Sequence, residues 1–185
     1  MKSLISFFLI TAFFGRVQQP ADETLMIPHG NVNEHYLETS LLISEVNQSD
    51  PEDFNAKVRL AHRKDTLFFN FLVTDNHLVK GRSNIFGNDN VEIFISGNTG
   101  NSEMLQYIIA LDDQPKGKIR FVDYHKDKNL HKKEISAHIK TSRNGYIMEV
   151  GIPLSYLAFE EEDVFYLQYY VNDVDGSETK KYNWH

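Results

Sequence analysis

The chain of 185 residues contains no cysteine, which excludes disulfide bonds and cysteine-ligated zinc. Basic charge is also scarce, because 19 Lys and Arg stand against 26 Asp and Glu. The resulting net charge of −7 leaves no basic field for nucleic acid, which we do not expect as a partner. No apolar run reaches the roughly 20 residues that a membrane-spanning helix needs. The length suits one domain with a proper hydrophobic core.

The N-terminus differs in character from the rest of the chain. Residues 4–14 form an apolar run of eleven behind Lys2, which is typical of the hydrophobic region of a secretory signal peptide. We therefore expect a signal peptide at residues 1–22 and one domain at residues 23–185. Export to the periplasm, the cell envelope or the medium would follow. A buried N-terminal strand is the alternative.

Alternation of apolar and polar residues, typical of strands with one buried face, recurs along the rest of the chain. It predicts strands at residues 57–62, 66–74, 90–96, 105–111, 118–122, 135–141, 146–152 and 165–172. Asn144-Gly145 predicts a tight hairpin turn, because glycine accepts a positive φ. Residues 155–157 are expected to form a single helical turn. The fold class is therefore all-β, an antiparallel β-sandwich of immunoglobulin or jelly-roll type.

Residues 88–95 carry the strongest functional signal. Strand parity turns Val91, Ile93 and Ile95 inward and Asn90, Glu92 and Phe94 outward, on a face that we expect to be open to solvent. An acid and a ring on an exposed strand face suit a sugar, whose hydroxyls need acceptors and whose C–H face needs a ring. Phe86, in a turn next to Gly87, is expected to project beside this strand. The pattern predicts a carbohydrate-binding surface.

Several motifs stand in the order found in the family 9 carbohydrate-binding modules. They are Pro28-His29-Gly30, the aromatic strand ending in Val73-Thr74-Asp75, the run Asn88-Asp89-Asn90-Val91-Glu92, the run Gly145-Tyr146-Ile147-Met148-Glu149, and Tyr170-Val171-Asn172-Asp173 with Trp184. On these motifs the chain resembles that family over residues 26–185. The resemblance implies a non-catalytic sandwich that binds an oligo- or polysaccharide such as xylan and supports an associated glycoside hydrolase.

The resemblance also implies which residues bind the sugar. Phe86 stands at or beside a stacking tryptophan of the family, Glu92 matches its sugar-binding glutamate, and Asn172 falls near the site. Ile108 stands where the family's sugar-binder carries an arginine. Trp184 is the last candidate for a sugar-binding residue. In the family, the second stacking tryptophan and the last strand lie beyond the segment that matches residues 183–185. The last strand is thus expected to be missing, or to come from another segment or a partner.

The resemblance also implies a structural calcium ion held by clustered oxygens. The candidate ligands are Asp75, Asp89, Asp173 and Asp175, since Ca²⁺ takes six to eight oxygen ligands. Ordinary turn chemistry is the alternative for the same residues, because turns favour Asp, Asn and Gly.

Two other functions stay open at this point. A small glycoside hydrolase would use Glu92 and Glu149, or nearby aspartates, as its carboxylate pair, with the two groups about 5 to 9 Å apart. A haem-binding or adhesive sandwich would need Met104 or Met148 together with His138 in one pocket.

Overall fold

The computed structural model describes residues 5–8, 26–27, 37–40, 42–43, 54–97, 104–123, 135–153, 164–175 and 178–183. The helical turn expected at residues 155–157 and Trp184 lie outside these ranges. Within them, no helix is long and apolar enough to cross a membrane.

The described residues form strands and a single 3₁₀ turn, Ile85–Gly87. The strands are Ile5–Phe8 (β1), Met26–Ile27 (β2), Leu37–Ser40 (β3), Leu42–Ile43 (β4), Phe54–Arg63 (β5), Thr66–Asp75 (β6), Asn90–Gly97 (β7), Met104–Ala110 (β8), Lys118–Asp123 (β9), Ser136–Ser142 (β10), Gly145–Pro153 (β11), Val164–Asp175 (β12) and Glu178–Asn183 (β13). All eight predicted strands are confirmed, with ends that differ by a few residues.

The strands form two sheets. The larger sheet has the order β2-β1-β12-β7-β8-β9, and β13 pairs with both β12 and β4. The smaller sheet has the order β10-β11-β6-β5-β3. Every pairing is antiparallel except that of β1 with β12, which is parallel. The predicted antiparallel β-sandwich is therefore confirmed.

The core lies between the sheets and follows the predicted alternation. It includes Val58 and Leu60 of β5, Phe69 and Phe71 of β6, Val91 and Ile93 of β7, Tyr107 and Ile109 of β8, Met148 and Val150 of β11, and Tyr169 and Val171 of β12. The rings of Phe69 and Phe71 are stacked, and each meets Tyr169 edge-on across the two sheets. Such edge contacts are favourable for aromatic quadrupoles.

Gly145 begins β11 at the predicted hairpin. Its φ is +134°, and a Cβ placed there would lie 2.0 Å from the carbonyl oxygen of Val73 on the neighbouring strand. Pro153 ends the same strand, as its missing N–H predicts. The hairpin is therefore specified locally by its turn residues.

Five strands, β1 to β4 and β13, were not among the eight predicted. Strand β13 pairs with β12, and β1 lies within the apolar run of residues 4–14, where it pairs with residues 164–166 of β12. A strand at this place is the alternative to a signal peptide that the sequence left open. Removal of residues 1–22 and export of the chain stay predictions.

Candidate functional site

Four residues lie side by side across the outer face of the larger sheet. Tyr170 of β12 pairs with Glu92 of β7, Glu92 with Ile108 of β8, and Ile108 with Arg120 of β9. Residues that pair in a sheet share a face, and neighbouring strands are separated by about 4.8 Å. We call these four the site row; it spans roughly 14 Å, or three strand spacings.

Phe86 stands at the β9 end of the site row. It is the middle residue of the 3₁₀ turn and is 42 % exposed. The guanidinium carbon of Arg120 lies 5.7 Å from the centre of its ring, within cation–π range. The ring and the acid therefore belong to one face of the sandwich, as the sequence predicts.

Asn88 holds the Phe86 turn in place. Its buried side-chain amide donates to the carbonyl oxygens of Arg82 (3.2 Å), Asn84 (2.7 Å) and Ile85 (3.4 Å). Its Oδ1 accepts the Arg82 N–H at 2.7 Å. One side chain thus satisfies four backbone groups of a short turn, which fixes the place from which the ring projects.

Glu92 departs from expectation in its exposure. Its side chain points away from the core, but the residue is only 3 % exposed, and Asn90 is 1 % exposed. Oε1 accepts a hydrogen bond from Asn172 Nδ2 at 2.7 Å, and Oε2 accepts one from Gln106 Nε2 at 2.6 Å. The expectation of a solvated acid was wrong, because amides on both neighbouring strands enclose the carboxylate.

Asn172 belongs to the same network. It is 1 % exposed, and its Nδ2 also donates to Asn90 Oδ1 at 2.7 Å. Its Oδ1 has no hydrogen-bond partner in the part of the chain that the structure describes. A buried acceptor without a donor is costly, so the Glu92 and Asn90 contacts of the Nδ2 group must outweigh this cost.

Sequence reasoning missed three residues of this face: Gln106, Arg120 and Tyr170. Tyr170 is half-buried, and its ring meets that of Phe94 edge-on, with centroids 5.7 Å apart. Rings therefore lie toward both ends of the site row. The alternation in β8, β9 and β12 indicates that these three residues face away from the core. The register between strands was needed to place them near Glu92.

Asp75, Asp89 and Asp173 meet where the two sheets approach each other. Each is buried, and one carboxylate oxygen from each lies within 4.8 Å of the others. Asp75 ends β6 of the smaller sheet, whereas Asp89 precedes β7 and Asp173 lies in β12 of the larger sheet. The structure brings together three of the four metal ligands that the sequence predicted. Asp175 lies outside this group, with its Oδ1 3.4 Å from His77 Nδ1.

Backbone N–H groups orient the carboxylates. Asp89 Oδ2 accepts the Val79 N–H at 2.7 Å, and its Oδ1 accepts the Val174 N–H at 3.0 Å. Asp75 Oδ1 accepts the His77 N–H at 2.7 Å. Asp89 is thereby fixed by two separate segments of the chain.

The electrostatics of this acidic cluster are unfavourable without a counter-ion. Burial, together with the charges of Asp75 and Asp173, raises the pKa of Asp89 to about 7, against the opposing effect of the two backbone hydrogen bonds. Burial and the same three carboxylates raise the pKa of Tyr146 well above its ordinary value. A cation at this point would relieve both effects.

The donor set fits calcium. Two oxygens on opposite sides of a Ca²⁺ ion lie about 4.6 to 5.2 Å apart, given metal–oxygen distances of 2.3 to 2.6 Å. The three carboxylates lie within that span, and they offer oxygen alone. Hard oxygen ligands without nitrogen or sulfur favour Ca²⁺ over zinc.

The two carboxylates considered as a glycosidase pair do not lie together. Glu92 lies on the outer face of the larger sheet, and Glu149 lies on the outer face of the smaller one. Because stacked sheets are about 10 Å apart, their carboxylates are too distant to act as a glycosidase pair.

The haem arrangement fails for the same kind of reason. Met148 is buried in the core, whereas His138 is exposed on the outer face of the smaller sheet. Met104 is 39 % exposed on the larger sheet. Neither methionine shares a pocket with His138.

The fold and this outer face are those of a β-sandwich module of the carbohydrate-binding type. The chain belongs to the family described as "Carbohydrate family 9 binding domain-like", whose sequence model matches residues 29–185. The resemblance drawn from the motifs is therefore confirmed. Curated proteins give no significant match.

Solved structures share the fold. A family 9 carbohydrate-binding module from Caldicellulosiruptor kristjanssonii in complex with cellotriose aligns with a TM-score of 0.56 and 20 % identity, covering 84 % of this chain and 76 % of that one. The same organism's module in complex with glucose aligns with a TM-score of 0.53 and 20 % identity, covering 79 % and 73 %. A putative carbohydrate-binding protein from Bacteroides uniformis aligns with a TM-score of 0.55 and 12 % identity, covering 97 % and 87 %.

Proposed function

We propose that the chain is a non-catalytic module that binds an oligo- or polysaccharide on the outer face of its larger sheet. Family membership supports binding of a carbohydrate, and the relatives in complex with cellotriose and glucose support a glucan-type ligand. The arrangement that carries the proposal is the site row, with an exposed ring and a guanidinium at one end and a hydrogen-bonded carboxylate within it.

Each group in the site has a distinct task. The Phe86 ring offers an apolar platform for the C–H face of a sugar. Arg120 supplies the donors that Ile108 lacks, and its fork suits neighbouring hydroxyls. Glu92 accepts two amide hydrogen bonds and fixes the side chains of Asn172 and Gln106 on either side of it. So small a contact corresponds to micromolar to millimolar affinity.

The wider context is part of the same proposal. The chain is exported after removal of residues 1–22, and Trp184 contributes to the binding surface. An associated glycoside hydrolase, acting on a polysaccharide such as xylan, gains from the module because anchoring raises the effective concentration of enzyme at the substrate.

Calorimetric titration with cellotriose and xylotriose tests the binding site. We expect Phe86→Ala to weaken binding by about tenfold, equivalent to ~1.4 kcal/mol. Ile119→Ala is the matched control, because Ile119 is 41 % exposed and Phe86 is 42 % exposed. Ile119 lies on the other side of β9 from Arg120, so its truncation should leave affinity unchanged. Equal affinity in both variants would place the site elsewhere.

We also propose that Asp75, Asp89 and Asp173 hold a structural calcium ion. The ion would supply positive charge at the junction of the two sheets, where three carboxylates are buried together. Calcium should raise the midpoint of thermal unfolding after treatment with a chelator, whereas magnesium at the same concentration should have less effect. Asp89→Asn should abolish the response to calcium.

A further inference from the structure

Tyr146 lies on the inner face of the smaller sheet, at the end of the sandwich where the acidic cluster is found. It pairs with Val73 of β6, and both side chains are buried. Asp75 is two residues further along β6, so its side chain lies on the same face as that of Val73. The Asp75 N–H donates to the Asn144 carbonyl oxygen at 3.3 Å, which continues the pairing of β6 with β11. Tyr146 and Asp75 are therefore diagonal neighbours on adjacent strands, a separation that an aromatic side chain can reach across.

The larger sheet supplies the facing half of this end of the core. Val91 of β7 and Val171 of β12 pair with each other and are buried between the sheets. Asp89 lies two residues before Val91, and Asp173 lies two residues after Val171. Because the strands are antiparallel and side chains alternate, the two acids lie opposite each other on the same inward face. Each sheet thus contributes two oxygen-bearing side chains here.

The hydroxyl of Tyr146 is buried without a hydrogen bond. The residue is 2 % exposed, and its phenolic oxygen has no partner among the described residues. Burial, together with the charges of Asp89, Asp75 and Asp173, raises the pKa of this phenol well above its ordinary value. The hydroxyl is therefore within electrostatic reach of all three carboxylates, although it donates to none of them. A buried hydroxyl in this state lowers the stability of the metal-free protein.

The coordination chemistry of calcium gives this hydroxyl a task. Ca²⁺ takes six to eight oxygens, and water commonly supplies those that the protein does not. A water bound to a cation turns its lone pair toward the ion and its hydrogens away from it. Such a water needs an acceptor nearby, and a phenolic oxygen can accept as well as donate. Groups that hold the ligands of a metal in this way contribute to its affinity.

From this arrangement we infer that Tyr146 is a positioning residue of the calcium site, whose phenolic oxygen accepts a hydrogen bond from a water bound to the ion. This role depends on the calcium ion proposed above. It adds β11 to the segments that the ion joins, which otherwise belong to β6, to β12 and to the residue before β7. The water-mediated contact replaces the missing hydrogen bond of the hydroxyl only when the metal is bound.

Calorimetric titration of chelator-treated protein with calcium tests this role. Tyr146→Phe removes the hydroxyl and keeps the ring in the core, and we expect it to lower calcium affinity about tenfold. Tyr107→Phe is the matched control, because Tyr107 is also fully buried. It pairs with Ile93, which is roughly 13 Å along β7 from Asp89. Its loss of a hydroxyl should leave calcium affinity unchanged.

Thermal unfolding separates a positioning role from a purely structural one. In the metal-free protein, Tyr146→Phe should leave the midpoint unchanged or raise it, because the hydroxyl that it removes has no partner. With calcium present, the same variant should gain less stability than the wild type, since the gain depends on affinity. A midpoint that falls equally with and without calcium would assign the hydroxyl to the packing of the core and overturn the inference.

The outcomes also separate this role from the proposals on which it depends. Equal calcium affinity in the wild type and in Tyr146→Phe would overturn the role of Tyr146 and leave the calcium site standing. Absence of calcium binding by the wild type would overturn both. Failure of cellotriose to bind would instead count against the sugar site on the outer face, which calcium affinity does not measure.

Discussion

At the scale of single residues, Glu92 combines a charge with almost complete burial. Its two oxygens accept from Asn172 and Gln106 on the two neighbouring strands. Both donors are amides, so the arrangement requires an acceptor at each of the two positions, which a carboxylate supplies. The carboxylate therefore has a structural task in addition to any contact with a sugar.

Replacement of Glu92 by Gln tests this structural role of the carboxylate. The new amide offers one acceptor and one donor, so one of the two contacts becomes donor against donor. We expect a loss of about 1 to 3 kcal/mol in the free energy of unfolding, together with weaker binding of cellotriose. Urea denaturation measures the first effect and calorimetry the second. Glu149→Gln, at an exposed position, should change stability by less than about 0.5 kcal/mol.

The sequence identified Glu92 and Phe86 but misjudged the environment of the acid. Parity within β7 correctly turned Glu92 away from Val91 and Ile93. Alternation within one strand cannot show which side chains lie on the next strand. Gln106 and Asn172 are neighbours of Glu92 only because of the register in which β8 and β12 pair with β7. The exposure of an outward residue depends on such neighbours, which lie 14 and 80 positions away along the chain.

At the scale of elements, the Phe86 turn depends on one side chain. Asn88 bonds to Arg82, Asn84 and Ile85, and Lys118 of β9 adds a hydrogen bond from its Nζ to the Arg82 carbonyl at 2.6 Å. A turn held mainly by one buried amide should be sensitive to its removal.

Asn88→Ala should loosen the turn while the sheets stay intact. We expect a loss of about 1 to 2 kcal/mol in the free energy of unfolding, because the Arg82 N–H loses its acceptor and three carbonyl oxygens each lose one of two donors. Amide hydrogen exchange should accelerate at residues 82–87 while protection in β6 is retained. Uniform acceleration across the whole domain would instead assign Asn88 a role in global folding.

The β10–β11 hairpin depends on Gly145 in a similar way. Any side chain at this position meets the carbonyl oxygen of Val73 at 2.0 Å, and the φ of +134° is unfavourable for L-residues. Gly145→Ala should therefore lower the free energy of unfolding by more than about 2 kcal/mol. Gly87→Ala is the comparison, since its Cβ would have its nearest neighbour at 3.5 Å and no positive φ; thermal denaturation of both variants distinguishes them.

At the scale of the whole molecule, the acidic cluster joins the two sheets and links stability to pH. Burial raises the pKa of Asp89 from 3.8 to about 7 in the metal-free protein. Between about pH 4 and pH 7 the folded chain keeps a proton that the unfolded chain has released, so stability falls as the pH rises through this window. Above it, the contribution of this group no longer changes.

Thermal unfolding of chelator-treated protein should show this dependence. We expect a lower midpoint near pH 7.5 than near pH 5, and a larger shift on addition of calcium at the higher pH, because the ligand must be ionised. Asp89→Asn should remove both effects. Asp113→Asn, whose side chain is 76 % exposed, should preserve them. A midpoint that rises steadily with pH in the metal-free protein would contradict the role of Asp89.

The amino-acid pattern alone determined eight of the thirteen described strands, their buried faces and the family. Periodicity is a local property, set by whether each side chain must leave water, so it can be recognised without knowledge of the fold. Tertiary structure decided what lies between strands: the row from Tyr170 to Arg120, the enclosure of Glu92, and the selection of Asp75, Asp89 and Asp173 without Asp175. These depend on register and on the approach of two sheets, because residues distant in sequence interact only when packing fixes the distance between them.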